Sequence, residues 1–262
     1  MQSSGNWLWR VFGLLSLASM LLLAAGFVLA LDPSQLAPEG PVGPVKEAKP
    51  PTLVPEEGVR QIVGLGDSLT RGVGDANGLG YIGLVRQALE KKSGNKITLS
   101  NLAINGQESP SLVAQLSQKQ VQSQLAASDL IFFTIGGNDL FKQSGELEEL
   151  DEKKLAAATK RLTANFEEII KQIRKANPDA TIVYASLYNP FGDTEAAADT
   201  IQPVLDWNSA ASDIAARYPR VLVVPTYDLF VNKEQAYLYT DHFHPNAAGY
   251  KRMADRILQA LE

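Results

Sequence analysis

Four short polar clusters hold the side chains of this chain that could do chemistry. The first, Gly66-Asp67-Ser68-Leu69-Thr70, contains a serine. The second ends on Asn105-Gly106, the third is Gly136-Gly137-Asn138-Asp139, and the fourth is Asp241-His242-Phe243-His244-Pro245. A serine hydroxyl is a weak nucleophile at neutral pH and needs a base to take its proton. An imidazole acts as that base when a carboxylate holds its other ring nitrogen, and an Asp three residues before a His in a tight segment can do this. A glycine at a strand end leaves a backbone N–H accessible, as Gly106 would. An uncharged amide such as Asn138 donates without adding charge, and both suit a developing oxyanion. Together these are the parts of an acyl-transfer site.

His242 and His244 are the chain's two histidines, and their positions separate them. Neighbouring side chains in an extended segment point to opposite faces, which leaves His242 badly placed to be held by Asp241. His244 lies three positions on, and Pro245 restricts its backbone and suits the first turn of the final helix. The positive end of that helix would disfavour imidazolium and keep the base neutral. His244 is therefore the expected base.

Taken singly, each cluster has a plainer reading. Ser68 can be a turn or helix-cap serine, Asn105-Gly106 a plain turn, and residues 136–139 an Asx-type turn. Asp241-His242-Phe243-His244 can be a surface turn. Other chemistries fit less well. A dinucleotide loop needs glycine where Leu69 stands, a phosphate-binding loop needs Gly-Lys-Ser/Thr, and a nucleophile elbow needs glycine where Thr70 stands. The absence of cysteine excludes disulfides, Cys-ligated zinc, iron–sulfur clusters and thiol catalysis. A metal site would have to draw three ligands from Asp241, His242 and His244 alone. With 24 Lys and Arg against 29 Asp and Glu, the net charge is −5, so the chain lacks the basic excess of a nucleic-acid-binding surface.

The clusters need elements to position them. Apolar runs at 60–65, 96–102, 129–135, 181–187 and 221–224 are rich in Val, Ile and Phe. Most lack the alternation of a sheet with one wet face, so they read as strands buried on both sides. Amphipathic stretches near 80–92, 110–127, 152–176, 203–217 and 246–261 alternate with them. The last is the cleanest, with Tyr250, Met253, Ala254, Ile257, Leu258 and Leu261 on one stripe. This β-α-β-α order predicts an α/β fold: a three-layer α/β/α sandwich around a five-stranded, parallel, flavodoxin-like sheet. Ligands in such folds bind at the carboxyl ends of the strands, where three of the clusters fall; the fourth directly precedes the final helix.

The chain divides by composition into a short tail (1–10), an apolar segment (11–31), a proline-rich linker (32–58) and a folded body (59–262). Residues 11–31 are 21 uncharged residues, roughly 32 Å of helix and enough to cross a membrane. Trp7 and Trp9 stand where an interfacial aromatic belt would be. A signal peptide cleaved after Val28-Leu29-Ala30 competes with an uncleaved anchor. The anchor is favoured, because the run exceeds the usual apolar core of about 7–15 residues. Residues 32–58 hold seven of the fourteen prolines, which suits an extended stalk carrying an extracytoplasmic body.

The blocks Gly66-Asp67-Ser68-Leu69, Gly106, Gly136-Gly137-Asn138-Asp139 and Asp241-x-x-His244-Pro245, in this order, resemble the signature blocks of the GDSL, or SGNH, hydrolases. The resemblance covers residues 60–262, and the ending His244-Pro245-Asn246-x-x-Gly249-Tyr250 is similar to the bacterial esterase branch. It implies a serine hydrolase of carboxylic esters that needs no metal or other cofactor. Ser68 would be the nucleophile, His244 the general base and Asp241 its orienting carboxylate. The Ser68 and Gly106 backbone N–H groups and the Asn138 side chain would form the oxyanion hole. Asp67 and Asp139 match motif positions and are read as structural, and His242 stands where the motif is free. The expected partners are acyl esters of lipids or acetyl esters of envelope polysaccharide, with the membrane met through residues 11–31. The competing reading is a catalytically silent envelope-binding module on a stalk; intact Ser68, Asn138, Asp241 and His244 oppose it.

Overall fold

The computed structural model describes residues 5–31, 53–55, 58–142, 144–146 and 149–262. The chain falls into two units, Met1–Lys49 and Pro50–Glu262. In the first, α1 (Gly5–Leu31) is a single helix. Its stretch Trp9–Ala30 is long and apolar enough to cross a membrane, and side chains such as Leu14, Leu22 and Phe27 are exposed. Residues 1–4 of the expected tail and most of the expected linker (32–52, 56 and 57) lie outside the described residues.

The second unit begins with β1 (Gln61–Gly66), α2 (Ser68–Arg71), α3 (Gly80–Ser93) and β2 (Thr98–Asn101). There follow α4 (Ser109–Leu116), α5 (Lys119–Ala126), β3 (Leu130–Thr134), α6 (Gly137–Phe141) and a small hairpin of β4 (Gly145–Glu146) and β5 (Glu149–Leu150). The remainder is α7 (Glu152–Ala176), β6 (Thr181–Ala185), α8 (Ala197–Ala215), β7 (Val221–Val224), α9 (Tyr227–Phe230), α10 (Glu234–Tyr237) and α11 (Ala247–Leu261). The five long strands form one parallel sheet in the order β2-β1-β3-β6-β7, the flavodoxin-like order.

Alternate residues of the central strands feed two cores. Val63, Leu65, Ile131, Phe133, Ile182 and Tyr184 pack with Leu112, Phe166 and Trp207 from α4, α7 and α8. On the other face, Ile62, Phe132 and Val183 pack with Tyr81 and Ile82 of α3 and Tyr250, Met253 and Ile257 of α11. Each such buried side chain contributes about 1.5–3 kcal/mol, and covering both faces gives the three layers. In this strand order the direction of winding changes between β1 and β3, and the crevice there is where ligands enter such sheets.

Three elements differ from the sequence expectation. The stretch 110–127 is two helices, α4 and α5. Its buried residues run Leu112, Leu116, Val121, Leu125, and the step of five from Leu116 to Val121 leaves the helical stripe. The chain breaks there with Gln118 extended, and Gln122 Nε2 donates to the freed Leu116 carbonyl at 2.5 Å. α8 starts six residues before Pro203, which lies inside the helix. Pro245 precedes α11 instead of occupying its first turn. The cap is Asn246, whose side chain accepts from the Ala248 and Gly249 N–H groups, while Pro245 bridges to Leu238.

Candidate active site

The crevice between β1 and β3 receives Ser68 from one strand and Asn138 from the other. β1 ends at Gly66, with φ of 94°, and a Cβ there would lie 1.8 Å from the Thr134 carbonyl oxygen. Only glycine lets β1 leave the sheet so close to β3. Asp67 then caps α2: its Oδ1 accepts from the Leu69 N–H (3.1 Å) and the Thr134 hydroxyl (2.6 Å). Ser68 becomes the first residue of that helix, where the backbone N–H has no intrahelical acceptor. Thr134 also bonds Thr70, which bonds Tyr81, so the turn under Ser68 rests on buried hydroxyls.

Ser68 Oγ lies 2.8 Å from His244 Nε2, and His244 Nδ1 lies 2.7 Å from Asp241 Oδ2. The other carboxylate oxygen of Asp241 accepts from the Phe243 and His244 N–H groups at 3.0 and 2.9 Å. Burial pushes the Asp241 carboxyl up, but the hydrogen bonds from the His244 ring and these two N–H groups outweigh it and hold the group below its ordinary value. The carboxylate stays ionised and pinned against the imidazole. An imidazole oriented on one nitrogen by a carboxylate, with the other on a serine hydroxyl, is arranged to take that hydroxyl's proton.

The structure brings His244, and not His242, against both Ser68 and Asp241, by a different route from the one the sequence suggests. The segment is a turn, not an extended chain: His242 has φ of 53°, and its N–H donates to the Tyr239 carbonyl. That left-handed residue folds the chain back so that one carboxylate reaches the backbone and ring of His244 together. His242 itself is exposed.

Asn138 lies in the first turn of α6 and donates from Nδ2 to the Gln107 carbonyl at 3.1 Å. One of its two amide hydrogens is thereby engaged and its plane fixed. Gly106, the residue before Gln107, is exposed with φ of 71°, and among the described residues nothing accepts from its N–H. Gly136 has φ of 121°, and a Cβ on it would come within 2.9 Å of Trp207, so this glycine serves packing against α8. Ser68 and Asn138 line one cleft with Leu69, Phe141, Leu187, Tyr188, Phe191 and Phe243. Among the described residues no three His, Asp or Glu side chains gather as a metal site would require.

Several contributors carry no sequence signal. Asp139 accepts from the Ser109 N–H and hydroxyl, and Asn165 of α7 donates to the same hydroxyl. Burial raises the Asp139 carboxyl above its ordinary value, against the hydrogen bonds from Ser109. Asp67 is raised in the same way, against those from Thr134 and Leu69. Asn101 Nδ2 donates to the Thr70 carbonyl, fastening the end of β2 to α2. Of these residues Asn165 and Phe191 lie far from the motifs in the chain; Asn101, Ser109, Thr134, Phe141 and Phe243 lie in or beside them but are of types found anywhere.

The profile of the GDSL-like lipase/acylhydrolase family matches residues 65–252. The chain belongs to that family. It is similar to YpmR of Bacillus subtilis (strain 168), an uncharacterized protein, with 37% identity over 206 residues, 77% of this chain and 81% of that one. The spore germination lipase LipC of Bacillus licheniformis is 30% identical over 209 residues, 76% of this chain and 95% of that one. Among solved structures, the lipase Lip_vut3 from a goat rumen metagenome superposes with a TM-score of 0.70 at 28% identity, over 78% of this chain and all of that one. Axe2, an acetylxylan esterase from Geobacillus stearothermophilus, shares the fold at 20% identity and a TM-score of 0.60, over 80% and 96% of the two chains. This GDSL-type chain is accordingly an ester-cleaving hydrolase with the α/β architecture expected from its sequence.

Proposed function

We propose that the protein hydrolyses carboxylic esters through an acyl-enzyme on Ser68. The observation that carries the reading is the unbroken line from Ser68 Oγ to His244 Nε2 (2.8 Å) and from His244 Nδ1 to Asp241 (2.7 Å). Ser68 Oγ attacks the ester carbonyl carbon while its proton passes to His244 Nε2, and Asp241 stabilises the imidazolium. The tetrahedral oxyanion is held by the Ser68 and Gly106 backbone N–H groups and the free amide hydrogen of Asn138. Collapse breaks the carbon–oxygen bond to the alcohol, which leaves with the proton from His244. Water, deprotonated by the same imidazole, then releases the acid and restores Ser68. The candidate substrates are alternatives: acyl esters of lipids, as the name of the similar lipase LipC suggests, or acetyl esters of envelope glycans.

The apolar α1 supports attachment to a membrane, and the proline-rich stretch 32–58, suited to a stalk, supports an extracytoplasmic catalytic body. The test of the chemistry is fluorophosphonate labelling with a p-nitrophenyl ester assay. Wild type should label and turn over, and Ser68→Ala should do neither while keeping its circular dichroism and melting profile. More than a few per cent residual turnover in Ser68→Ala would remove Ser68 as nucleophile. The anchoring reading requires the full chain to stay with membranes in a high-salt wash; a mature N-terminus at Leu31 in the medium would replace it with secretion.

A further inference from the structure

The cleft beside Ser68 is an apolar slot of unusual tightness. Its free volume is about 30 Å³, where a single water needs about 10–15 Å³ and pockets for drug-sized ligands run to about 300–1,000 Å³. Three phenylalanines span the slot as a continuous aromatic chain. Phe191 stands edge-on to Phe141 (5.9 Å, 83°) and tilted against Phe243 (5.9 Å, 48°), and Phe243 meets the His244 ring at 5.0 Å. Phe191 thus joins the wall built by α6 to the wall that leads into the His244 turn.

These walls are held from behind. The Tyr188 hydroxyl donates to the Phe243 carbonyl at 2.5 Å, and the Tyr188 ring stacks on Phe230 at 4.1 Å. The Phe191 N–H donates to Asn189 Oδ1, whose amide in turn donates to Thr200 in α8. Asn208 takes both the N–H and the carbonyl of Leu187. At Gly192 a Cβ would lie 2.2 Å from a carboxylate oxygen of Glu234, so the chain after Phe191 backs directly on α10. The turn bearing Asp241 and His242 is, by contrast, exposed. The site thus has a narrow apolar flank on one side and an exposed turn on the other.

We propose that this slot receives the acyl group and restricts it to acetyl, with Phe191 as the residue that sets the limit. The alcohol, unconfined, can be large. This deepens the reading of Ser68 as nucleophile and rests on it. A longer chain has to displace Phe191 and undo its contacts with both neighbouring rings, which a rigid acyl site resists more strongly with each methylene.

The test uses the full chain in mild detergent, with kcat/KM for p-nitrophenyl acetate, butyrate and octanoate expressed per fluorophosphonate-titrated site. Wild type should favour acetate over octanoate by on the order of 10²-fold. Phe191→Ala should raise the octanoate-to-acetate ratio about tenfold or more, and Phe141→Ala should move the ratio the same way. Damage to the fold lowers all rates together and leaves the ratio in place, so the ratio is the readout. A wild-type enzyme that cleaves octanoate as well as acetate overturns the acetyl assignment. An unchanged ratio in both variants overturns the role of the phenylalanines. A wild-type protein that neither labels nor cleaves any of the esters overturns the nucleophile reading beneath it.

Discussion

Asp139 grips Ser109 at two points, accepting from its backbone N–H (2.9 and 3.0 Å) and its hydroxyl (2.5 Å). Asp139 follows Asn138 directly, and Ser109 opens the helix that begins just after Gly106 and Gln107. Together with the bond from Asn138 to the Gln107 carbonyl, this clasp ties the two arms that would supply oxyanion donors into one piece. Preorganised donors stabilise developing charge without having to reorient during the reaction.

Loosening the clasp should therefore slow turnover more than it weakens binding. Ser109→Ala leaves the buried Asp139 and the half-buried Asn165 each short of a partner, a loss of about 1–3 kcal/mol in stability. Steady-state kinetics on a p-nitrophenyl ester should show kcat about tenfold lower, equivalent to about 1.4 kcal/mol, with KM little changed. A lower melting temperature with intact kcat would make the clasp structural only.

Asn138→Ala removes the proposed donor itself. The expected loss in kcat is about 10²–10³-fold, or roughly 2.7–4 kcal/mol, with KM nearly constant. If the change falls on KM alone, Asn138 binds the ground state and is not an oxyanion donor.

The two histidines should separate cleanly. His244→Ala should lose as much activity as Ser68→Ala, and the double variant should be hardly worse than either, because the two groups act as a unit. His242→Gly, which accepts the left-handed backbone at that position without strain, should keep kcat/KM within a few-fold of wild type. Inactive His242→Gly beside active His244→Ala would reverse the assignment of the base.

Asp67 links the site to pH through stability. Burial raises its carboxyl above the ordinary value of 3.8, in spite of the hydrogen bonds from Thr134 and Leu69. The folded state thus binds more protons than the unfolded chain between the ordinary and the raised value, and this group's contribution to stability falls as pH rises through that window. Asp67→Asn removes the titration. Urea unfolding at pH 4 and pH 8 should show the variant gaining on wild type at the higher pH. A variant that keeps a constant offset from wild type, or loses ground to it, as pH rises would mean the Asp67 carboxyl is not raised.

Much of this protein is local, and local features are legible in the sequence. The strands are short apolar runs between helical stripes, and α7 over Glu152–Ala176 coincides with its sequence pattern because its buried residues keep one face from Ala158 to Ile173. The spacing of Asp241 and His244 is likewise a four-residue matter, and so is the exit of β1 through Gly66. The break between α4 and α5 could have been read from the five-residue step between Leu116 and Val121.

Tertiary structure alone decides what surrounds those residues. Thr134 reaches Asp67 across 67 positions and Asn165 reaches Ser109 across 56, and no residue type announces either bond. Phe141, Phe191 and Phe243 read as ordinary apolar residues until the ends of β3 and β6 and the turn before α11 bring them around Ser68. Even at His242 the chain's outcome depends on a backbone angle that alternation along a strand does not predict. The sequence by itself determines which groups can react and which strand ends carry them, because both follow from residue type and short-range periodicity. The separations that make the groups a site, and the size of the slot beside them, follow from packing between segments remote in the chain, and so belong to the fold.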